Sequence, residues 1–185
     1  MSDTDELVRD DAPITASKIT DSKASLSAEA VTIARPAEEL FRFWREVANL
    51  AGFMENIESI EPLDDKRSLW TVKAPGAQTV SWESIITDEV PGRSISWQSA
   101  EGADIDNSGK VEFIDAGERG TIVRALIAYD PPAGTVGKLV AKLFQREPRI
   151  QSRRDLHRLK QLMEAGEIAT GARNRRIRDE REEDQ

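Results

Sequence analysis

The chain contains no cysteine, which removes disulfides, thiolate nucleophiles and thiolate metal sites at once. Histidine occurs once, as His157, and tyrosine once, as Tyr129. A two-histidine metal site is therefore excluded, and a mixed one would have to draw on several carboxylates. A serine nucleophile would need His157 as its base, but no G-x-S-x-G elbow is present to supply the serine. "GTVGK" lacks the spacing of a phosphate loop and the hydroxyl residue after Lys138, so no metal, nucleotide or other cofactor is expected. No apolar run approaches the ~18 residues of a membrane span. Lys and Arg total 26 against 34 Asp and Glu, a net charge of -8. That balance opposes general affinity for nucleic acid or anionic lipid.

At 185 residues, with 38% hydrophobic and 32% charged residues, the chain suits one soluble domain with polar extensions. Residues 1–22 are rich in Asp, Ser and Thr, lack a sustained period, and are expected to form a disordered acidic tail. They also lack the basic and apolar regions of a signal peptide, so a cytoplasmic location is expected. Residues 168–185 mix Arg with Asp and Glu in near balance and read as a second solvated, charged tail. The domain is expected over 23–167, and the oligomeric state stays open.

Between the tails the pattern runs strand, short helical pair, strands, helix. "SLSAEAVTIA" alternates as a strand should. "RPAEELFRFWREVANL" places Pro36 where a helix tolerates it and lines up Leu40, Phe41, Trp44 and Val47 on one face. "GFMENIESIEPLD" leads into the next strand. "RSLWTVKA", "QTVSWESIITDEV", "RSISWQSA", "SGKVEFIDA" and "GTIVRALIAY" are strands separated by Gly and Pro turns, the mark of an antiparallel meander. From Gly134 the period becomes helical for about thirty residues, with a kink or restart near Pro148 and an end at Gly166. The fold class is α+β: a curved antiparallel sheet wrapped around a long C-terminal helix, with two short helices after the first strand.

"VTIARPAEELFRFWREVANLAGFM", "WESIITDEVPGRSISWQS", "SGKVEFIDAGERGTIVRALIAYDPPAG" and "DLHRLKQLMEAGE" resemble the polyketide cyclase/dehydrase-like branch of the START-like (SRPBCC) superfamily. The resemblance covers residues 25 to 167. It implies a helix-grip fold with an apolar cavity between sheet and long helix. Members of the superfamily bind lipids, sterols, quinones or polyketides, and some act as cyclases or hydrolases. The matched motifs are scaffold and carry no catalytic residue across.

Alternation puts Ile95 with Trp97, Val111 with Phe113, and Val123 with Ala125, Ile127 and Tyr129 on shared faces. The expected ligand-binding wall is therefore Trp44, Trp97, Phe113, Tyr129, Leu139 and Leu143. Trp70 and Trp82 are not oriented by this parity, because the long 78–90 strand has room for a bulge. Tyr129, Arg124 and Glu83 would be the groups for cyclisation or dehydration chemistry, but parity sets Arg124 opposite Tyr129, so they do not converge. His157, among charged neighbours, is expected on a solvent face. The expected function is binding or carriage of a hydrophobic small molecule (a lipid, isoprenoid quinone or polyketide). The alternatives are a cyclase/dehydratase using the same cavity, and a protein-interaction module whose cavity is vestigial.

Overall fold

The computed structural model describes residues 25–74, 77–103, 105–130 and 148–169. The expected acidic tail, nearly all of the charged C-terminal tail, and the stretch 131–147 with Leu139 and Leu143 lie outside these residues.

Strand β1 (Ser25–Ile33) leads into helix α1 (Ala37–Arg45) and a 3-10 turn at Val47–Gly52. Then come β2 (Ile57–Pro62), β3 (Arg67–Ala74), β4 (Gln78–Val90), β5 (Ser94–Ser99), β6 (Asp106–Asp115) and β7 (Thr121–Asp130). Helix α2 (Pro148–Ala165) follows, its first residue a proline whose missing N–H is not needed at that position. The strands form one antiparallel sheet in the order β1-β7-β6-β5-β4-β3-β2. It curls as a half-barrel with α2 on its concave side, a helix-grip fold.

Sequence and structure differ at β2, which the pattern marked only as an approach to the next strand. The pairing register of β2 on β3 shifts between Ile57 and Ser59, so Ile57 and Ile60, three residues apart, are both buried. A bulge of this kind hides the two-residue period by which a strand is recognised. The Pro91-Gly92 turn is as its sequence demands: Gly92 has a φ of 68°, and Arg93 N–H donates to Val90 O at 2.9 Å. Proline then glycine with positive φ is a type II turn.

The inward faces of neighbouring strands fall in register. Ile95 lies opposite Val111, Val111 opposite Ala125, Phe113 opposite Val123 and Val123 opposite Val31. All of them are buried. Helix α1 covers one end of this face through Leu40, Phe41 and Trp44. Trp44 lies 5.7 Å from Phe53 and 6.3 Å from Phe113, the latter edge to face, and Phe41 meets Phe113 at 5.9 Å. Such pairs add to the area that each ring buries. With Trp44 only 3% exposed and packed on Phe53 and Phe113, Trp44→Ala is expected to cost about 3–5 kcal/mol, measured as a lowered denaturant midpoint at unchanged slope.

Candidate functional site

Between the sheet and α2 lies a cavity of about 110 Å³. Every strand contributes to it: Ser27 from β1, Ile57 from β2, Trp70 and Val72 from β3, Trp82 from β4, Trp97 from β5, Asn107 from β6 and Ile127 from β7. Met54 and Asn56 border it ahead of β2, and α2 closes it with Gln151, Ser152 and Asp155. The curl of the sheet makes this convergence, since inward-facing residues of separate strands meet on its concave side.

Three of the four tryptophans of the chain line this one space. Trp70 and Trp82 are direct partners across β3 and β4, stacked at 6.1 Å with 25° between ring planes. The bulge in β4 falls between Ile86 and Asp88, beyond Trp82, and leaves that indole facing inward. Trp97 lies opposite Gly109 of β6, and its ring lies across that glycine: a Cβ on Gly109 would stand 2.3 Å from Trp97 Cζ2. Gly109 is therefore the platform on which the indole rests.

The indole N–H groups differ in their bonding. Trp97 Nε1 donates to Asn107 Oδ1 at 3.2 Å and Trp70 Nε1 to Ser68 Oγ at 3.0 Å. Trp82 Nε1 is the one buried side-chain polar atom without a partner among the described residues. A buried donor left unpaired costs about 1–3 kcal/mol, and a ligand acceptor beside this one would recover that cost.

Asp155 is the sole ionisable residue on the described wall. Its Oδ1 accepts the Glu55 backbone N–H at 3.1 Å and Gln151 Nε2 at 3.0 Å. Burial pushes its carboxyl up to about 6, against those two bonds and the charge of Arg158, which pull it down. The charge of Glu55 adds a smaller upward push. A carboxyl held that high in a cleft titrates in the range useful for recognition or proton transfer.

Of the wall expected from sequence, Trp97 lines the cavity. Trp44 meets it only across a smaller hollow of about 20 Å³ that they share with Trp70, while Phe113 packs in the core against Phe41 and Trp44. The side chain of Tyr129 and all of Leu139 and Leu143 lie outside the described residues. Arg124 pairs with Glu112 across β6 and β7, and Glu83 with Arg67 at 3.1 Å; neither lines the cavity. His157 is on α2 but outside the cavity, in a surface groove with Arg153, Arg154 and Arg158. Sequence reasoning missed Asp155, whose signal was one carboxylate in a charged helical stretch, "RRDLHRLK", indistinguishable there from a solvated one.

A curled antiparallel sheet gripping a C-terminal helix, with an indole-lined cavity between them, defines a helix-grip protein. Residues 33–156 match the family model described as polyketide cyclase/dehydrase and lipid transport, and the chain belongs to that family. A Deinococcus radiodurans protein of known crystal structure is 42% identical, over 77% of this chain and 99% of its own, with a TM-score of 0.63. One from Thermus thermophilus is 25% identical over 77% of this chain and 98% of its own, with a TM-score of 0.58. The Zhui aromatase/cyclase from Streptomyces shares the fold at 16% identity, over 78% of this chain and 99% of its own, with a TM-score of 0.58. No curated protein matches the chain.

Two predictions follow from this geometry. Gly109→Ala should displace the Trp97 ring and shift the intrinsic emission spectrum, at a stability cost of about 1–3 kcal/mol for the overpacked contact. Unchanged emission would mean that the indole does not rest on Gly109.

The second concerns Asp155. It gives up its proton near 3.8 in its ordinary state but holds it to about 6 in the fold. The folded chain thus binds the proton more tightly, and stability falls as pH rises from about 4 to 6, by roughly 2–3 kcal/mol. Asp155→Asn retains an acceptor oxygen and removes the charge. It should raise the denaturant midpoint at pH 7.5 and lose that advantage at pH 4. A lower midpoint at pH 7.5 would show that the bonds of the carboxylate outweigh its desolvation.

Proposed function

We propose that this protein binds and carries a hydrophobic small molecule, of the lipid, isoprenoid quinone or polyketide classes, in the cavity between sheet and α2. The observation that carries the reading is the wall formed by Trp70, Trp82 and Trp97 around one internal space. Large flat rings give an apolar guest extensive contact at little entropic cost. The family description, which includes lipid transport, supports the same reading. Size narrows it. Drug-sized pockets enclose ~300–1,000 Å³, whereas an engineered apolar cavity of ~150 Å³ accepts benzene. At about 110 Å³, the space suits one ring or one end of a longer molecule.

One observation favours the cyclase/dehydratase alternative: Asp155, on the wall, has a raised proton affinity. Dehydration or cyclisation, however, takes both a proton acceptor and a proton donor at the reacting atoms. A single ionisable group on the described wall is better suited to recognition. A protein-interaction role with a vestigial cavity would accord with a solid interior, and this interior is hollow.

Trp97→Ala tests the proposal. It should enlarge the cavity and change affinity for a short-chain quinone several-fold. Its stability cost should stay below the ~3–5 kcal/mol of a fully packed core tryptophan. In the wild-type chain the quinone should quench tryptophan fluorescence saturably. If neither a quinone, a fatty acid nor a single-ring aromatic gives saturable quenching or a bound mass by native mass spectrometry, the carrier reading fails.

A further inference from the structure

Most polar side chains on the cavity wall are already engaged. Asn107 Oδ1 accepts the Trp97 N–H, Ser27 Oγ donates to Ser152 Oγ at 3.3 Å, and Gln151 Nε2 donates to Asp155. Asp155 is different. A carboxylate offers about four acceptor positions, yet both of its hydrogen bonds, from Glu55 N–H and Gln151 Nε2, fall on Oδ1. Oδ2 receives neither.

We propose, on the reading that the cavity binds an apolar ligand, that this ligand is ring-sized and carries one hydroxyl group, phenolic or alcoholic, whose O–H donates to Asp155 Oδ2.

Three alternatives fit the wall less well. A ligand ending in a carbonyl or ether would set its lone pairs against those of the carboxylate. A wholly apolar ligand would fill the space around Asp155 and leave an acceptor buried without a donor, which costs more for a charged group than for a neutral one. An ammonium ligand brings three donors, more than this one open acceptor oxygen satisfies, and would bury the rest unpaired. A hydroxyl brings one donor, and its own oxygen still accepts. Asn56, adjacent to Glu55 in the chain, also lines the cavity, and an amide is a donor type suited to that oxygen. The indoles supply the apolar remainder.

The test is a ladder of small fluorinated probes titrated into the full-length chain at pH 7.5 and followed by ¹⁹F NMR. 4-Fluorophenol and 4-fluorotoluene differ by hydroxyl against methyl. 4-Fluoroanisole keeps the oxygen but not the donor, and 4-fluorobenzylamine presents an ammonium. 4-Fluorophenol is expected to bind about tenfold or more tightly than the other three, the range of a hydrogen bond to a charged acceptor. In Asp155→Asn, whose amide can place a donor where Oδ2 stood, that advantage should vanish or pass to 4-fluoroanisole.

Equal affinity for 4-fluorophenol and 4-fluorotoluene in the wild-type chain would overturn the hydroxyl proposal while leaving apolar binding intact. Tightest binding of the amine would overturn it in favour of a cation site. A phenol preference that survives in Asp155→Asn would show that another group accepts the proton. If no probe binds, the apolar-ligand reading falls together with the proposal.

Discussion

Helix α2 is tied to both edges of the sheet that it closes. At one edge, Glu164 Oε1 accepts the Ala34 N–H at 2.7 Å and Lys160 Nζ donates to Thr32 O, at the end of β1. At the other, Arg158 Nε donates to Phe53 O at 2.8 Å and Asp155 accepts the Glu55 N–H, on the approach to β2. β1 and β2 are the outer strands of the seven, so these contacts hold the curl of the sheet at both ends. Between them Leu156 and Leu159 bury their side chains, with Leu159 only 1% exposed. Among the described residues α2, about 10–12 Å across with its side chains, leaves part of the concavity unfilled. The cavity is the space left over.

Asp155 belongs to both halves of this arrangement. Its bond to Glu55 N–H helps fasten α2 to the β2 edge, and the residue also lines the cavity. Burial makes its charge unfavourable. An apolar residue would serve packing better, and a more exposed acid would serve the clamp without that cost. A carboxyl held under such conditions supports the reading of this cavity as a binding site. Trp82 N–H, on the same wall, has no partner among the described residues, a second polar group there with capacity to spare.

The position of Trp97 depends on its neighbour strand. Without a side chain at Gly109 the six-membered ring of the indole comes close against β6, where a Cβ would displace it. Its N–H is anchored by Asn107, two residues before Gly109 on the same strand. A ring fixed at both body and tip makes a rigid surface, and rigidity lowers the entropic cost of receiving a ligand. Trp44, by contrast, is hemmed in by Phe53 and Phe113 and serves the core beneath α1.

Local chemistry determined much of this protein from the sequence alone. The Pro91-Gly92 pair set the β4–β5 hairpin, the two-residue period set the strands, and parity sent Trp97, Val111 and Phe113 inward, because each of these depends on neighbours a few residues apart. The bounds of β3 and β4 are those read from "RSLWTVKA" and "QTVSWESIITDEV". Parity failed where a bulge interrupts it, at Ile57 and Ser59 of β2, and in β4 the bulge left Trp82 unassigned until its pairing with Trp70 was seen. Parity names a face, and it does not say whether a residue on that face meets a void or a neighbour. Trp44, Phe113 and Trp97 are equivalent in that respect, and only the position of α1 and α2 separates core from cavity. Asp155 was hidden for the same reason. Its raised proton affinity comes from burial in the tertiary fold, where it meets Glu55 from one hundred residues away, and no pattern local to "RRDLHRLK" encodes that contact.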